Sequence, residues 1–218
     1  MDEQPRRVVI IGAGGHGRET AEILQHQAQS GVNQEPIGFI DDNQQLHGTV
    51  IGGLPVLGDW SWFEGIDRSE VAVICAVGSP KICKLMADRA RALSLAFANA
   101  VSPQATISPT AHLGKGLTIF PNVVISTNVR LLDCSILNVS ATVSHDTAVG
   151  PYSNINPAAN LAGNITIGEG CYIGMGAKVI QGISIGDWAV IGAGAVVIRD
   201  VPGGVTAVGV PARVVKRS

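Results

Sequence analysis

Residues 155–173 read INPAANLAGNITIGEGCYI, and in this stretch an isoleucine or leucine recurs at every sixth position. The spacing extends in both directions with no insertion, so seventeen successive hexads carry Val, Ile or Leu at one fixed position. These positions are Val101, Ile107, Leu113, Ile119, Ile125, Leu131, Leu137, Val143, Val149, Ile155, Leu161, Ile167, Ile173, Val179, Ile185, Ile191 and Val197. A period of six is neither helical nor the alternation of a simple strand. It is typical of a parallel β-helix, in which short strands and turns alternate and each coil stacks on the last.

A second position of the hexad agrees with this interpretation. Four residues after the aliphatic comes a small or β-branched residue in most hexads, as at Ala141, Ala159 and Ala177. Both positions are predicted to point inward and to fill a narrow core. Each buried aliphatic side chain contributes roughly 1.5–3 kcal/mol of transfer free energy. Burial of this ladder of aliphatic side chains therefore favours an all-β fold, a parallel β-helix, from residue 100 to residue 218.

Charge and cysteine content exclude several classes of protein. The net charge of −2 gives no bulk attraction for nucleic acid. The four cysteines form no CxxC pair, and the first apolar run, Val8 to Ile11, is too short for a signal peptide or a membrane span. We therefore expect a protein of the reducing cytoplasm, with neither a membrane nor a nucleic acid as partner.

The first part of the chain, residues 1–99, follows a different pattern. Strands and helices are predicted to alternate there, which favours a small Rossmann-like α/β domain with a parallel sheet. The predicted strands are Arg6–Ile11, Ile37–Ile40 and Val71–Val77, and the predicted helices are Arg18–Gln29 and Lys81–Leu93.

The carboxyl ends of these three strands are where an open α/β sheet binds its ligands. A glycine turn that opens a helix offers backbone N–H groups to a phosphate, and carboxylates at the next strand end can accept hydrogen bonds from a ribose or a base. The candidate substrate-binding residues are Gly12, Gly14, Gly15, His16, Asp41, Asp42, Gly78 and Ser79. The Gly12-x-Gly14-x-x-Gly17 pattern also fits a dinucleotide fingerprint, which leaves an NAD-dependent reductase as an alternative.

Motifs along nearly the whole chain resemble one family. They are Gly-Ala-Gly-Gly-His-Gly at 12–17, Phe-Ile-Asp-Asp at 39–42, Asn138 seven residues before His145-Asp146, Leu-Ala-Gly-Asn at 161–164, Ile-Gly-Ala-Gly-Ala-Val-Val at 191–197 and Gly-Val-Pro-Ala-Arg at 209–213. Together they are similar to the bacterial sugar acyltransferases typified by the sialic-acid O-acetyltransferases and the UDP-4-amino-sugar N-acetyltransferases. The resemblance implies a left-handed β-helix, a homotrimer, acetyl-CoA in the groove between neighbouring helices, and a first domain that holds the nucleotide end of a nucleotide sugar.

The resemblance also implies roles for individual residues. His145 lies off the inward ladder and would be the general base, Asp146 would orient it, and Asn138 would assist by hydrogen bonding near it. Adjacent side chains on an extended chain point apart, so a direct contact between His145 and Asp146 does not follow from the sequence. The candidate cofactor-binding residues, which would bind acetyl-CoA as acyl donor, are Gly163, Gly174, Ala193 and Arg213.

Gly163 has a further argument from spacing. One coil is three hexads, so Gly163 falls beside His145 on the next coil, where a glycine leaves room for a thioester and offers its N–H to an oxyanion. The chain departs from the family's pattern at Asn154, where relatives often have histidine, and at Gly78-Ser79-Pro80, where they often have Gly-Asn-Asn. We expect no metal site, because the β-helix holds only His112 and His145 as histidine ligands.

These observations predict an acetyl-CoA-dependent N-acetyltransferase that acts on a nucleotide-linked amino sugar of the 4-amino-4,6-dideoxy type. The sequence leaves open which nucleotide and which amino sugar it uses. An O-acetyltransferase of the sialic-acid type is the nearest alternative. A trimeric scaffold without chemistry is a third, beside the NAD-dependent reductase.

Overall fold

The alternation of strands and helices predicted for the first part of the chain is confirmed in the computed structural model, which describes residues 6–217. Apolar runs such as Val8–Ile11 are fully buried, as the strands of a sheet covered on both faces must be. The elements are β1 (Arg6–Ile11), α1 (Gly15–Gln29), β2 (Gln34–Ile40), β3 (Val50–Ile51), β4 (Leu54–Gly58), β5 (Val71–Cys75), α2 (Pro80–Ala92) and β6 (Ala96–Phe97).

The first sheet has six strands in the order β3-β4-β2-β1-β5-β6, where the sequence predicted three. All neighbours are parallel except β3 and β4, which form an antiparallel hairpin at the edge. The three missed strands are short, and two of them flank the Gly52-Gly53 turn next to Pro55, a composition that predicts a loop. The sheet is therefore larger than the periodicity indicated.

From residue 100 onward the chain winds into a three-sided coil built from two-residue strands, followed by a terminal hairpin. The first face holds β7 (Ala100–Val101), β10 (Thr118–Ile119), β13 (Ile136–Leu137), β16 (Asn154–Ile155), β19 (Tyr172–Ile173) and β22 (Val190–Ile191). The second face holds β8 (Thr106–Ile107), β11 (Val124–Ile125), β14 (Thr142–Val143), β17 (Asn160–Leu161), β20 (Lys178–Val179) and β23 (Val196–Val197). The third face holds β9 (His112–Leu113), β12 (Arg130–Leu131), β15 (Ala148–Val149), β18 (Thr166–Ile167) and β21 (Ser184–Ile185). The hairpin β24 (Val205–Val208) and β25 (Arg213–Arg217) closes the first face.

Each coil is 18 residues long, as the three-hexad period predicts. Val143, for example, pairs in parallel with Ile125 on one side and with Leu161 on the other. The chain turns between the first and second faces at the first corner, between the second and third at the second corner, and between the third and first at the third corner. Equivalent residues of successive coils therefore form columns along each corner.

The aliphatic ladder is the core of the coil, and it is buried at every position from Ile119 to Val197. The first coil is the exception, since Leu113 at that end is 38% exposed. No earlier coil covers it. The small inward position is also confirmed as core, including Cys171, whose thiol is buried and donates to the carbonyl of Gly186 at 3.2 Å.

The first domain lies against the first face of the coil. At one end the Gln27 side chain of α1 accepts a hydrogen bond from the backbone N–H of Val101 at 2.9 Å. At the other end the Arg91 guanidinium of α2 donates to the Tyr152 hydroxyl at 2.6 Å. The expected boundary at residues 99 and 100 lies between β6 and β7. These contacts fix how the carboxyl edge of the sheet meets the coil.

Across residues 6–217, no helix combines the length and the apolar character needed to cross a bilayer. All four cysteines are free thiols and all are buried.

Candidate functional site

A cleft of about 410 Å³ opens at the carboxyl edge of the first sheet. All eight candidate substrate-binding residues line it, so the structure brings together the three strand ends that the sequence pointed to. Its apolar wall comes from Trp60, Ile82 and Met86, which sequence reasoning missed. Their sequence neighbourhood gives no signal for this place, because a 3₁₀ turn and one face of α2 bring them there.

Glycine is required at positions 12 and 17 of the turn, each for a separate physical reason. Gly12 has a φ of +104°, a conformation that only glycine adopts readily. Gly17 lies so close to Gly12 that any Cβ would collide with the Gly12 carbonyl oxygen. Helix α1 then begins at Gly15, and its N-cap residue Gly14 supplies no side-chain cap. The first N–H groups of α1 are thus available to an anion in the cleft.

Asp41 holds the glycine turn in place. One carboxylate oxygen accepts the backbone N–H of Ala13 at 2.8 Å, and the other accepts the N–H of Asn43 at 2.9 Å. The sequence predicted that Asp41 and Asp42 would both accept hydrogen bonds from a ligand. In the structure the Asp41 carboxylate accepts its hydrogen bonds from the protein's own backbone, whereas Asp42 is exposed at the same edge of the cleft.

His16 joins the cleft to the coil. Its ring stacks on Phe120 of the first corner, with ring centroids 5.4 Å apart and an interplanar angle of 29°. Burial lowers the pKa of His16 from 6.5 to about 4, so the ring is neutral at physiological pH. Its Nε2 is buried, and no residue between 6 and 217 hydrogen-bonds to it. A neutral ring can offer a hydrogen bond to a ligand but no positive charge.

Asn154 lies beneath the cleft on the first face of the coil. It is 3% exposed, and its side-chain amide donates to the Gly78 carbonyl oxygen at 3.0 Å. Its own Oδ1 is buried without a partner among the described residues. The position where relatives often carry histidine is therefore packed between the coil and the end of β5.

A second group of polar residues lies at the second corner of the coil, after β14. There the Nδ1 atom of His145 is 2.8 Å from Oδ2 of Asp146, and both side chains are about half exposed. These neighbours do not point apart, because Asp146 has a φ of +58° and does not continue an extended chain. A carboxylate only accepts hydrogen bonds, so Nδ1 carries a proton, and in the neutral ring Nε2 is then the nitrogen with the free lone pair.

The other oxygen of Asp146 is also bonded. The side-chain amide of Asn128, one coil earlier, donates to Oδ1 at 3.1 Å. The hydrogen bonds from His145 and then from Asn128 hold the pKa of Asp146 below its ordinary value. Sequence reasoning missed Asn128, although it lies 18 residues before Asp146, which is the spacing of one coil.

Gly163 lies one coil beyond His145, since Val143 pairs with Leu161. A Cβ on Gly163 would stand 2.5 Å from Nε2 and 3.0 Å from Nδ1 of the imidazole. The sequence predicted that this glycine leaves room for a thioester. In the structure the imidazole of His145 occupies that space.

The structure does not bring the other candidate residues to His145 within one chain. Asn138, Gly174 and Ala193 follow strands of the first face and lie at the first corner. Asn138 Oδ1 accepts the N–H of Val139 at 2.7 Å, and Gly174 is packed against the backbone of Ala193. Arg213 is exposed at the start of β25.

The part of the chain that the structure describes contains no group of three His, Cys, Asp or Glu side chains placed to hold a metal ion.

Both parts of the chain match established families. The family model of the PglD N-terminal domain matches residues 7–90. The model of the bacterial transferase hexapeptide (six repeats) matches residues 164–199.

A curated relative is GDP-perosamine N-acetyltransferase of Escherichia coli O157:H7, which is 32% identical over 144 residues. The alignment covers 66% of this chain and 64% of that protein, so the chain spans less than two thirds of this relative's length.

Solved structures are similar over nearly the whole chain. PerB from Caulobacter crescentus, in complex with CoA and GDP-perosamine, is 33% identical with a TM-score of 0.87, over 95% of this chain and 96% of that one. The acetyltransferase domain of PglB from Neisseria gonorrhoeae FA1090, in complex with acetyl coenzyme A, is 34% identical with a TM-score of 0.88, over 97% and 100%. Two further structures of the Caulobacter protein with the same two ligands carry one histidine replaced, by asparagine in one and by alanine in the other.

The solved structures match this chain over 95% and 97% of its length, which includes both the cleft and the hexad coil. The chain belongs to the bacterial sugar acyltransferase family, in which a small Rossmann-like α/β domain of the PglD type precedes a left-handed parallel β-helix of hexapeptide repeats.

Proposed function

We propose that this chain is an acetyl-CoA-dependent N-acetyltransferase that acts on the amine of a nucleotide-linked amino sugar of the 4-amino-4,6-dideoxy type. The observation that carries the proposal is the His145–Asp146 pair at a corner of the β-helix, in which Nδ1 faces the carboxylate and Nε2 is the other ring nitrogen. The relatives that bind CoA together with GDP-perosamine support the choice of both substrates.

The cleft at the carboxyl edge of the sheet would hold the nucleotide diphosphate. Its N–H groups at the start of α1 suit the phosphates. Asp42 would accept hydrogen bonds from the ribose or the base, and the neutral His16 would bond through Nε2. The wall formed by Trp60 and Met86 offers apolar surface for a base.

The chemistry would be direct acyl transfer within a ternary complex. The sugar amine attacks the thioester carbonyl carbon, and Nε2 of His145 takes a proton from the attacking nitrogen. The tetrahedral intermediate then collapses, the C–S bond breaks, and the imidazolium returns its proton to the departing sulfur, which leaves as CoA thiol. Asp146 would stabilise the imidazolium between these two proton transfers.

The backbone of Gly163 is our proposed partner for the oxyanion. It lies directly beside Nε2 of His145, since a Cβ added to Gly163 would stand 2.5 Å from that nitrogen. A peptide N–H fixed there by the register of the coils would stabilise the negative charge that develops on the carbonyl oxygen.

The placement of the candidate residues favours a homotrimer with shared sites. Within one chain the nucleotide cleft meets the coil at the first face and first corner, through Asn154 and Phe120. His145 lies at the second corner, one face away. A reaction between the two requires a second subunit, whose first corner would bring its cleft, Asn138 and Gly174 to the base. Acetyl-CoA would lie in the same groove, with Arg213 near its phosphates.

Four free thiols accord with a reducing compartment, and we place the reaction in the cytoplasm.

The test is the release of free CoA, followed with a thiol reagent. Acetyl-CoA is supplied with UDP-, GDP- or dTDP-linked 4-amino sugars, and with free sialic acid in parallel. We expect turnover with one nucleotide amino sugar, which would also identify the nucleotide. Turnover with sialic acid alone would replace the proposal by O-acetylation. Binding of NADH with no CoA release in any reaction would favour the reductase alternative.

A further inference from the structure

We propose that Asn128 is a positioning residue for the catalytic base, acting through the carboxylate of Asp146. This inference rests on the proposed function, since it assumes that His145 is the base. Neither the hexad pattern nor the family motifs point to Asn128. It lies one coil before the His145–Asp146 pair, at the same corner.

Three side chains form a continuous path at this corner. Nδ1 of His145 donates to Oδ2 of Asp146 at 2.8 Å, and Nδ2 of Asn128 donates to Oδ1 of the same carboxylate at 3.1 Å. Asn128 is itself tied to the preceding coil, because its backbone N–H donates to the Thr110 hydroxyl at 3.0 Å. Each oxygen of the carboxylate thus has its own donor.

The second donor matters because Asp146 is about half exposed. A carboxylate held at one oxygen only can rotate about its side-chain bonds and exchange its partner for water. With Oδ1 fixed by Asn128, Oδ2 stays directed at Nδ1, which keeps the proton on that atom and leaves Nε2 to accept one. Asn128 therefore determines which tautomer the imidazole adopts, although it does not contact the ring.

The backbone at this position does not by itself explain the contact. Asn122, Asn128 and Asn164 all have φ values near +58°, between 57° and 59°. Asparagine tolerates this left-handed region, and glycine adopts it freely. Asn122 lies at the first corner of the same coil and is exposed. The variant Asn122→Gly is therefore a matched control for Asn128→Gly, with the same residue change in the same backbone conformation.

The kinetic test compares these two variants in the intact chain. We expect Asn128→Gly to lower kcat by about fivefold, the loss of one charge-assisted hydrogen bond, with the KM for acetyl-CoA unchanged. Asn122→Gly keeps the wild-type kcat. In an Asp146→Gly background, Asn128→Gly has no further effect on kcat, because the carboxylate through which it acts on the base is absent.

The second test needs no turnover and so separates this inference from the proposed function. Long-range ¹H–¹⁵N NMR of selectively labelled histidine reports which ring nitrogen of His145 carries the proton. We expect a single tautomer protonated at Nδ1 in the wild type and in Asn122→Gly, and a mixture of tautomers in Asn128→Gly. If the wild type acetylates no amino sugar but this difference holds, the proposed function fails and the positioning role stands.

Two results would overturn the inference. One is an Asn128→Gly variant whose tautomer and kcat match those of Asn122→Gly. The other is a loss of kcat that persists undiminished in the Asp146→Gly background, which would show that Asn128 acts on the coil and not on the carboxylate.

Discussion

The imidazole of His145 rests on the backbone of Gly163, in the space that any larger residue there would need for its side chain. The contact follows from the 18-residue coil, which pairs Val143 with Leu161 and so places the two residues side by side. Asp146 holds the ring at its edge through Nδ1. The candidate base is therefore fixed on two sides by its own chain.

The first prediction concerns this contact. Gly163→Ala adds a Cβ within 2.5 Å of Nε2, so the ring must swing away, and we expect kcat to fall by about 10- to 100-fold. We also expect a lower Tm, by a few degrees, because the overlap costs on the order of 1 kcal/mol.

A double variant serves as the control for Gly163→Ala. In a His145→Ala background the ring is absent and the added methyl meets no imidazole, so Gly163→Ala should leave Tm unchanged there. An equal loss of Tm in both backgrounds would show that the glycine is required by the coil and not by the histidine.

The second prediction concerns the carboxylate. Hydrogen bonds from His145 and Asn128 lower the pKa of Asp146, so this group stays ionised across the whole pH range of an assay. Asp146→Asn removes the charge that stabilises the imidazolium. We expect kcat, measured from initial rates of CoA release, to fall by about 10- to 100-fold. An unchanged kcat would contradict the role given to Asp146.

The third prediction concerns His16 and stability. Its pKa is near 4 in the folded chain against 6.5 as the ordinary value. Between these values the unfolded chain binds a proton that the folded chain does not, so stability is full above pH 6.5 and is lost as pH falls toward 4. The loss from this one group is on the order of 3 kcal/mol. Urea unfolding at a series of pH values measures it.

Two variants isolate the His16 effect. His16→Phe keeps a ring against Phe120 and should remove most of this pH dependence. His26→Gln is the control, because His26 lies on the same helix and is exposed, and it should leave the pH dependence as in the wild type. An unchanged pH dependence in His16→Phe would show that other groups cause it.

The fourth prediction concerns sharing of the site between subunits. His145→Ala removes the base, and Gly14→Leu fills the nucleotide cleft at a position where a Cβ meets nothing within 4 Å. Each variant alone should be inactive. Mixed oligomers of the two, separated by different affinity tags, should regain activity, because one subunit supplies the cleft and the other the base. If the mixed oligomers are as inactive as the two single variants, the cleft and the base of one site come from the same chain.

Much of the architecture could be predicted from the sequence, because a six-residue period and a glycine turn are local and repetitive signals. The coil length, the aliphatic ladder and the cleft at three strand ends all follow from them. The strands around Gly52 and Pro55 were missed, because their residues favour turns and only the pairing of β4 with β2, and of β3 with β4, makes them strands.

The second corner shows where sequence reasoning stops. The spacing placed Gly163 beside His145, but no local signal shows that Asp146 adopts a left-handed φ and turns its carboxylate onto the ring. Asn128 was missed for the same reason, since its contact depends on that turn. Asn138 was expected near the base through the family motif, and the fold puts it at a different corner of the same chain.

The proposed reaction is the transfer of an acetyl group to a sugar amine. Its most direct test is the initial rate of CoA release with a matched pair of acceptors, a nucleotide-linked 4-amino-4,6-dideoxy sugar and the same nucleotide sugar with a hydroxyl at that carbon. We expect turnover of the amine alone, with mass spectrometry of the product showing one added acetyl group, and loss of this turnover in His145→Ala. Acetylation of the hydroxyl acceptor in preference to the amine, or full turnover by His145→Ala, would contradict it.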